Sequence, residues 1–437
     1  MPEPATRILL RSPKTPFEVT GLASILARDI LANNTGNLVF LQAAYRLLAT
    51  PGVRITPDGM RIRPSDADRI NEEHDVYVLP FANAFRPQYR GRLERWTRLI
   101  RRLRIPVVVL GIGAQSSLEY DLERLAPIDA PVRDFVAAVL DHGPSIGVRG
   151  EFTERYLRHL GFRDVEVIGC PSVFMNGPSL RVEKRAARLG PDSPMAFNTA
   201  PSQASVGPLL PELARRFPHL TYVAQDRAAL EVLALGRVQR GAAPPPGFPD
   251  GNAHPLVRDG RVRVFPDPWP WIEFLRGVDF VFGSRAHGNL VSLIAGTPCY
   301  VLAHDSRTLE LARYYDVPHR ALPSDPLTID PLALYESADY AALNSGHPAR
   351  WATFQAYLRR HGLRDVFEAG GSDSFDARIA QLRFPVPGDP SSPGGTLGAG
   401  YRLRRRLRRW IRRITRRRGT RQPSRSRSGG RRPRRSA

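Results

Sequence analysis

The residues with the most chemistry to offer stand in one short run. Phe280-Val281-Phe282-Gly283-Ser284-Arg285-Ala286-His287-Gly288-Asn289 is followed by an apolar helical run, Leu290 to Ala295, and then Gly296-Thr297-Pro298. The pattern predicts a strand that ends at a glycine and a helix whose mouth carries Arg285 and His287. In open α/β sheets ligands bind outside the carboxyl ends of the strands. The free N–H groups and the field at a helix N-terminus favour an anion there. Arg285 brings a planar fork that matches carboxylate or phosphate, and His287 is the side chain suited to exchange a proton near neutral pH. Arg285 and His287 are therefore the candidate catalytic residues, with Ser284 and Gly288 beside them as candidate ligand contacts. The competing reading is a structural ion pair for Arg285 and a capping role for His287.

Three other junctions echo the first. Ser145-Ile146-Gly147-Val148-Arg149-Gly150-Glu151 ends a strand and opens a helix, placing Arg149 at a strand's carboxyl end. Arg149 and Arg285 on facing domains would suit a small polyanion, although Arg149 could instead pair with Glu151 or Glu154. Gly111-Ile112-Gly113-Ala114-Gln115 follows another strand; Gly113 permits close backbone approach, but the run lacks the G-x-G-x-x-G spacing of a dinucleotide site. Asn33-Asn34-Thr35-Gly36-Asn37 precedes a helix, so Asn33 and Asn37 are candidate substrate contacts or a plain capped turn. His304 and Asp305 end a further strand and are candidate substrate contacts, with a turn and N-cap as the alternative. No cluster of His, Asp and Glu has metal-ligand spacing, so no metal is expected.

The elements that must hold these residues alternate. Short, continuous apolar runs predict strands near residues 7–10, 76–81, 107–113, 146–148, 165–168, 195–198, 220–224, 262–265, 279–282 and 299–303, with helical patterns between most of them. A βα repeat of this kind predicts parallel, doubly wound sheets. The polar stretch ending in Gly190-Pro191-Asp192-Ser193-Pro194 separates two strand sets. The expected architecture is α/β, with two Rossmann-like domains, 1–189 and 190–383, facing across a cleft. Helices near 349–360 and 376–382 close the second domain, and a Pro/Gly-rich linker follows at 384–400. The two cysteines, Cys170 and Cys299, are too few for a disulfide framework or a four-thiolate zinc site, which points to a reducing compartment. The N-terminal residues lead only to the short apolar run Ile8 to Leu10, so neither a cleavable signal nor a membrane span is expected.

Taken together, these segments resemble the polysaccharide pyruvyl transferase family. The resemblance rests on Asn33 to Asn37, Gly111 to Ala114, Gly147-Val148-Arg149-Gly150-Glu151 and Val167-Ile168-Gly169-Cys170-Pro171-Ser172. Its most specific part runs from Gly283-Ser284-Arg285-Ala286-His287-Gly288 through Gly296-Thr297-Pro298 to Ser306-Arg307-Thr308-Leu309-Glu310-Leu311. It spans roughly residues 20 to 320. It implies a GT-B-like architecture and transfer of pyruvate from phosphoenolpyruvate to a sugar, as a ketal or related adduct, with release of phosphate and no cofactor. It also implies donor binding and catalysis by Arg285 and His287, with Arg149 as a further donor contact. Asn37 and Pro80-Phe81-Ala82-Asn83-Ala84 depart from the pattern of many relatives. The alternatives are a GT-B glycosyltransferase using a nucleotide sugar and a non-catalytic member that keeps the fold.

The charge of the chain is uneven. Its formal net charge is +22, but 18 of its 64 basic residues are arginines between Tyr401 and Ala437, where no acid occurs. The remainder is nearly neutral. At 100° per residue, Leu403, Leu407, Trp410, Ile411 and Ile414 share one arc of about 100°, and every arginine from Arg402 to Arg416 lies outside it. Residues 401–418 are therefore expected to form a basic amphipathic helix that lies on an anionic membrane, and 419–437 a disordered tail. An apolar stripe serves lipid better than nucleic acid, so a peripheral enzyme on the cytoplasmic face of the plasma membrane, acting on a glycan or lipid-linked glycan, is the reading favoured. The oligomeric state is not legible.

Overall fold

Twelve strands, every one paired in parallel among the described residues, make up the sheets of the computed structural model, which describes residues 6–27, 34–61, 63–239, 243–371 and 373–389. The first group contains β1 (Thr6–Leu10), β2 (Val53–Pro57), β3 (Val76–Pro80) and β4 (Val107–Leu110), in the order β2-β1-β3-β4. A parallel bridge from Ile112 to Val148 ties this sheet to the pair β5 (Ile146–Val148) and β6 (Val165–Val167). The second sheet holds β7 (Met195–Asn198), β8 (Leu220–Ala224), β9 (Val262–Val264), β10 (Phe280–Gly283), β11 (Cys299–Ala303) and β12 (His319–Ala321). Its order is β12-β11-β10-β7-β8-β9.

Both sheets follow the doubly wound rule, since the order reverses once in each. The reversal falls between β1 and β3 in the first and between β7 and β10 in the second, and such points open a crevice at the strands' carboxyl ends. Val-rich β4 and the run Val76–Pro80 of β3 are buried throughout, as strands covered by helices on both faces must be. Trp96, Phe81 and Phe135 pack edge to face over them, with ring centroids 5.7 and 5.9 Å apart. The helix Gly36–Leu48 of the first half packs on the helix Ala286–Ile294 of the second.

Further ties join the two halves. Lys14, after β1, forms a buried ion pair of 2.5 Å with Asp267, which Gln42 also reaches at 3.2 Å. The helix Ala341–Arg360 follows the second sheet in sequence yet returns to the first. There the Tyr357 hydroxyl donates to the Val109 carbonyl at 2.7 Å and accepts from the Gly147 N–H at 3.0 Å. Two strands absent from the sequence expectation, β2 and β12, are edge strands. β2 has no fully buried residue and β12 reads His-Arg-Ala, so neither carries the continuous apolar run that marks the others. No helix among the described residues is long and apolar enough to cross a membrane. The linker beyond residue 389 and the basic segment 401–437 lie outside the described residues.

Candidate functional site

The crevice between β7 and β10 begins with a glycine that only a glycine can be. Gly283 sits at φ 149°, and a Cβ there would run into the Asn198 carbonyl oxygen at the end of β7. The two strand exits are then stitched together. Ser284 N donates to the Asn198 carbonyl at 2.9 Å, and Arg285 N donates to the Asn198 side-chain oxygen at 3.0 Å. The Ser284 and Thr199 hydroxyls meet at 2.9 Å, and Arg285 Nε reaches the Thr199 carbonyl at 3.4 Å. Asn289 Nδ2 closes the turn onto the Gly283 and Arg285 carbonyls at 3.0 Å each. Ser284 thus faces into the protein. Arg285, half-buried at the helix mouth, keeps its terminal guanidinium nitrogens out of these bonds.

His287 occupies the first turn of the helix, only 7% exposed. Its ring stacks on Phe40, with centroids 5.3 Å apart, and its Nε2 lies 3.8 Å from the Cys170 sulfur. Close packing here requires small residues. A Cβ on Gly36 would come within 2.9 Å of the His287 Cβ, and one on Gly288 within 2.6 Å of Asn198 and 2.7 Å of Gln225. Gly288 therefore serves by letting the helix approach β7. Cys170 is itself clamped, since its N–H donates to the Tyr315 hydroxyl at 2.6 Å and its carbonyl accepts from that hydroxyl at 2.9 Å.

Arg149 approaches from the other half and is completely buried. Its Nε and one terminal nitrogen donate to the Gly111 carbonyl at 3.3 and 3.2 Å, and that nitrogen also reaches the Phe81 carbonyl at 3.2 Å. The other terminal nitrogen, Nη1, has no partner. The aliphatic stem crosses Gly113, where a Cβ would stand 2.7 Å from Arg149 Cδ, so Gly113 serves as the floor under Arg149. Glu310, from the helix Ser306–Tyr314, accepts from Thr153 N at 2.7 Å and from the Thr153 hydroxyl at 3.2 Å.

The electrostatics follow from this burial. Desolvation, and after it the charges of Arg149, Arg307 and Arg285, lower the His287 pKa to about 3, so the imidazole is neutral at physiological pH. Burial also lowers the pKa of Arg285 and of Arg149. Burial raises the Glu310 carboxyl to about 7, against the pull of Thr153 and Arg149. The site therefore combines a neutral imidazole with several partly desolvated cations, an arrangement whose charge and donors suit a small anion.

The remaining sequence candidates lie close by. Asp305 caps the helix Ser306–Tyr314 in a reciprocal box with Thr308, so the capping alternative is realised. It also meets Arg307 at 3.1 Å and Gln115 at 3.2 Å. His304 Nε2 lies 3.5 Å from Asp305, and its pKa is lowered, chiefly by burial. Asn37 opens the helix Gly36–Leu48, its N–H on the Asn34 carbonyl at 3.1 Å. Asn33 lies outside the described residues. Sequence reasoning gave no site role to Arg307, Phe40 or Cys170. The signal for Arg307 was present in the run Ser306-Arg307-Thr308, two residues beyond the strand-end pair His304-Asp305; Phe40 looked like any apolar helix position.

Among solved structures, this chain is similar to a co-structure of S. aureus MnaA with UDP, with 10% identity, 81% of this chain and 95% of that one covered, and a TM-score of 0.42. It is also similar to Methanocaldococcus jannaschii UDP-GlcNAc 2-epimerase in complex with UDP-GlcNAc and UDP (10% identity, 80% and 99% covered, TM-score 0.40). A third is Anabaena Alr3699/HepE in complex with UDP and glucose (12%, 86% and 100%, 0.37). Likeness at these scores bears on neither substrate nor mechanism. No curated protein matches the chain. The family model for polysaccharide pyruvyl transferase matches residues 34–306, a span that opens at the Asn34 turn and takes in Arg149, Cys170, Arg285 and His287. With more than half its length matched, and with those residues gathered around one crevice, the chain belongs to the polysaccharide pyruvyl transferase family and is a transferase.

Proposed function

We propose that the chain transfers pyruvate from phosphoenolpyruvate to a sugar of a cell-surface glycan or lipid-linked glycan, with release of phosphate. One observation carries the reading: a neutral, buried His287 lies within the fields of Arg149, Arg307 and Arg285. Phosphoenolpyruvate carries a carboxylate and a phosphate on one small frame, and the three guanidiniums match that charge. Binding the donor would also offset the cationic field and raise the imidazole's basicity in the complex.

The chemistry balances without a cofactor. A sugar hydroxyl adds to C2 of the enol phosphate, and neutral His287 takes the hydroxyl proton and passes it to C3, which returns the imidazole to its neutral form. Phosphate leaves from C2, stabilised by the arginines. A second hydroxyl of the same sugar adds to C2, closing the ketal, and its proton departs with the phosphate. The test is direct. Arg285→Ala and His287→Ala, each folded by circular dichroism, are expected to lose about 10² to 10⁴-fold in phosphate release from phosphoenolpyruvate with acceptor present. Near wild-type rates in either variant would defeat the assignment. A thermal shift with a nucleotide sugar and none with phosphoenolpyruvate would favour a glycosyltransferase.

The basic segment 401–418 supports a place for this reaction at an anionic membrane surface, through its Trp-bearing apolar stripe and its 11 arginines.

A further inference from the structure

The crevice of the first sheet, between β1 and β3, holds a second cationic site. A cavity of about 170 Å³ opens at the carboxyl ends of these strands, and four arginines line it with no acidic residue among its walls: Arg11, Arg86, Arg92 and Arg307. Arg307 is matched by Asp305 at 3.1 Å. Among the described residues no carboxylate comes within ion-pair distance of Arg11, Arg86 or Arg92. Asp58, whose field reaches Arg11, is instead held by the Tyr77 hydroxyl at 2.6 Å and by the N–H groups of Met60 and Ser12.

These like charges are pressed together. Arg11 donates to the Pro80 carbonyl at 2.6 Å and lies 4.5 Å from the centre of the Phe81 ring. Arg86 and Arg92 share one tyrosine, their guanidinium carbons 5.7 and 5.5 Å from the centre of the Tyr89 ring. Burial, with Arg307 next among the causes, lowers the pKa of Arg86. Burying Arg11 and half-burying Arg86 without an ion-paired carboxylate costs free energy unless a ligand supplies the negative charge.

The cavity adjoins the catalytic crevice. Phe40 forms part of its wall and stacks on His287, and Arg307 lines it while acting on the His287 ring. Its volume is smaller than the roughly 300–1,000 Å³ typical of pockets that enclose drug-sized ligands. A phosphate and part of a sugar fit such a space better than a nucleotide does. A dianion also matches three uncompensated arginines better than a single carboxylate.

We infer that this cavity binds a phosphate ester carried by the acceptor, so that the sugar presented to His287 is a phosphorylated one. The inference rests on the pyruvyl transfer reading for what happens to that sugar, and on the arginine cavity for its binding. Arg11, Arg86 and Arg92 select the acceptor; Arg149, Arg285 and Arg307, around His287, take the donor.

Isothermal titration of the full-length chain tests it, with N-acetylglucosamine 1-phosphate, neutral N-acetylglucosamine, glucuronic acid and phosphoenolpyruvate as probes. The phosphorylated sugar is expected to bind about tenfold or more tightly than the neutral sugar or the uronic acid, as charge-assisted hydrogen bonds to arginine predict. Saturating phosphoenolpyruvate should not displace it. Arg86→Gln and the exposed Arg92→Gln should each erase the preference while changing phosphoenolpyruvate affinity less than about threefold. Equal affinity for the phosphorylated and neutral sugars, a preference retained in both variants, or displacement by phosphoenolpyruvate would overturn the inference. Arginine-dependent sugar phosphate binding without any phosphoenolpyruvate binding would reject the pyruvyl reading and retain the phosphate site. A sugar on a short-chain prenyl diphosphate identifies the source: tighter binding than the free sugar phosphate marks a carrier-linked acceptor, and equal binding a soluble one.

Discussion

Glu310 shows how one buried group can set the pH response of the site. Its side chain lies against Gly150, where a Cβ would strike the Glu310 stem, and Thr153 holds both carboxylate oxygens. Burial raises its pKa from an ordinary 4.5 to about 7. In the folded protein the carboxyl therefore keeps its proton through a range where the unfolded chain has already lost it. Its cost to stability grows as pH rises from the unfolded value and is complete above the folded one. Glu310→Gln keeps the shape and the partner to Thr153 but has no proton to lose. The variant is expected to melt a few degrees above wild type at about pH 8, with a clearly smaller gain near pH 5. Differential scanning calorimetry at the two pH values decides it, and a gain that does not grow with pH would remove the buried carboxyl as its source. His287 is perturbed in the opposite sense, neutral by virtue of burial and its arginine neighbours, so positive charge in the crevice sits on guanidiniums.

At the scale of elements, the reversal point between β7 and β10 is what brings two strand ends together at the candidate site. Gly283→Ala would put a methyl group into the Asn198 carbonyl at φ 149° and is expected to destabilise the protein by at least about 2 kcal/mol. Gly161→Ala is the control, since Gly161 also has a positive φ, 98°, but faces open space within 4 Å, and it should cost only about 1 kcal/mol. Urea denaturation of both variants measures the difference, and equal costs would mean that the Asn198 contact is not what fixes the glycine. The same junction explains what the sequence could disclose. Phe280 to Gly283 is a continuous apolar run cut by glycine, and Ala286 to Ile294 continues as a buried helix, so local pattern alone places Arg285 and His287 at the mouth. β2 and β12 escaped because edge strands with half-exposed or polar residues lack the apolar run. Nor does such a pattern tell that Arg149 turns its guanidinium onto Gly111 and Phe81, or that Arg11, Arg86 and Arg307 from distant segments share one cavity. Those facts belong to tertiary packing, which brings residues hundreds of positions apart into one crevice.

For the whole molecule, charge is partitioned along the chain. Residues 1–400 carry 46 basic and 42 acidic groups, so the arginines of the two crevices act as local fields in a nearly neutral body, while 18 arginines crowd the final 37 residues. A soluble acceptor needs no such segment; a carrier-linked one confines the reaction to a surface. Each basic residue near an anionic bilayer contributes on the order of 1 kcal/mol, falling off within a Debye length, and Leu403, Leu407, Trp410, Ile411 and Ile414 add apolar burial that salt does not screen. The full chain is therefore expected to co-sediment with vesicles containing about 30% phosphatidylglycerol and much less with neutral phosphatidylcholine vesicles. Raising salt to about 0.5 M should weaken binding without abolishing it, whereas a purely electrostatic arm would be released. Deleting 401–437 should remove the binding and leave phosphate release on a soluble acceptor within about twofold of the full chain. Co-sedimentation that survives the deletion would move the membrane contact to the folded body, and complete release by salt would replace the amphipathic helix with a nonspecific polycation.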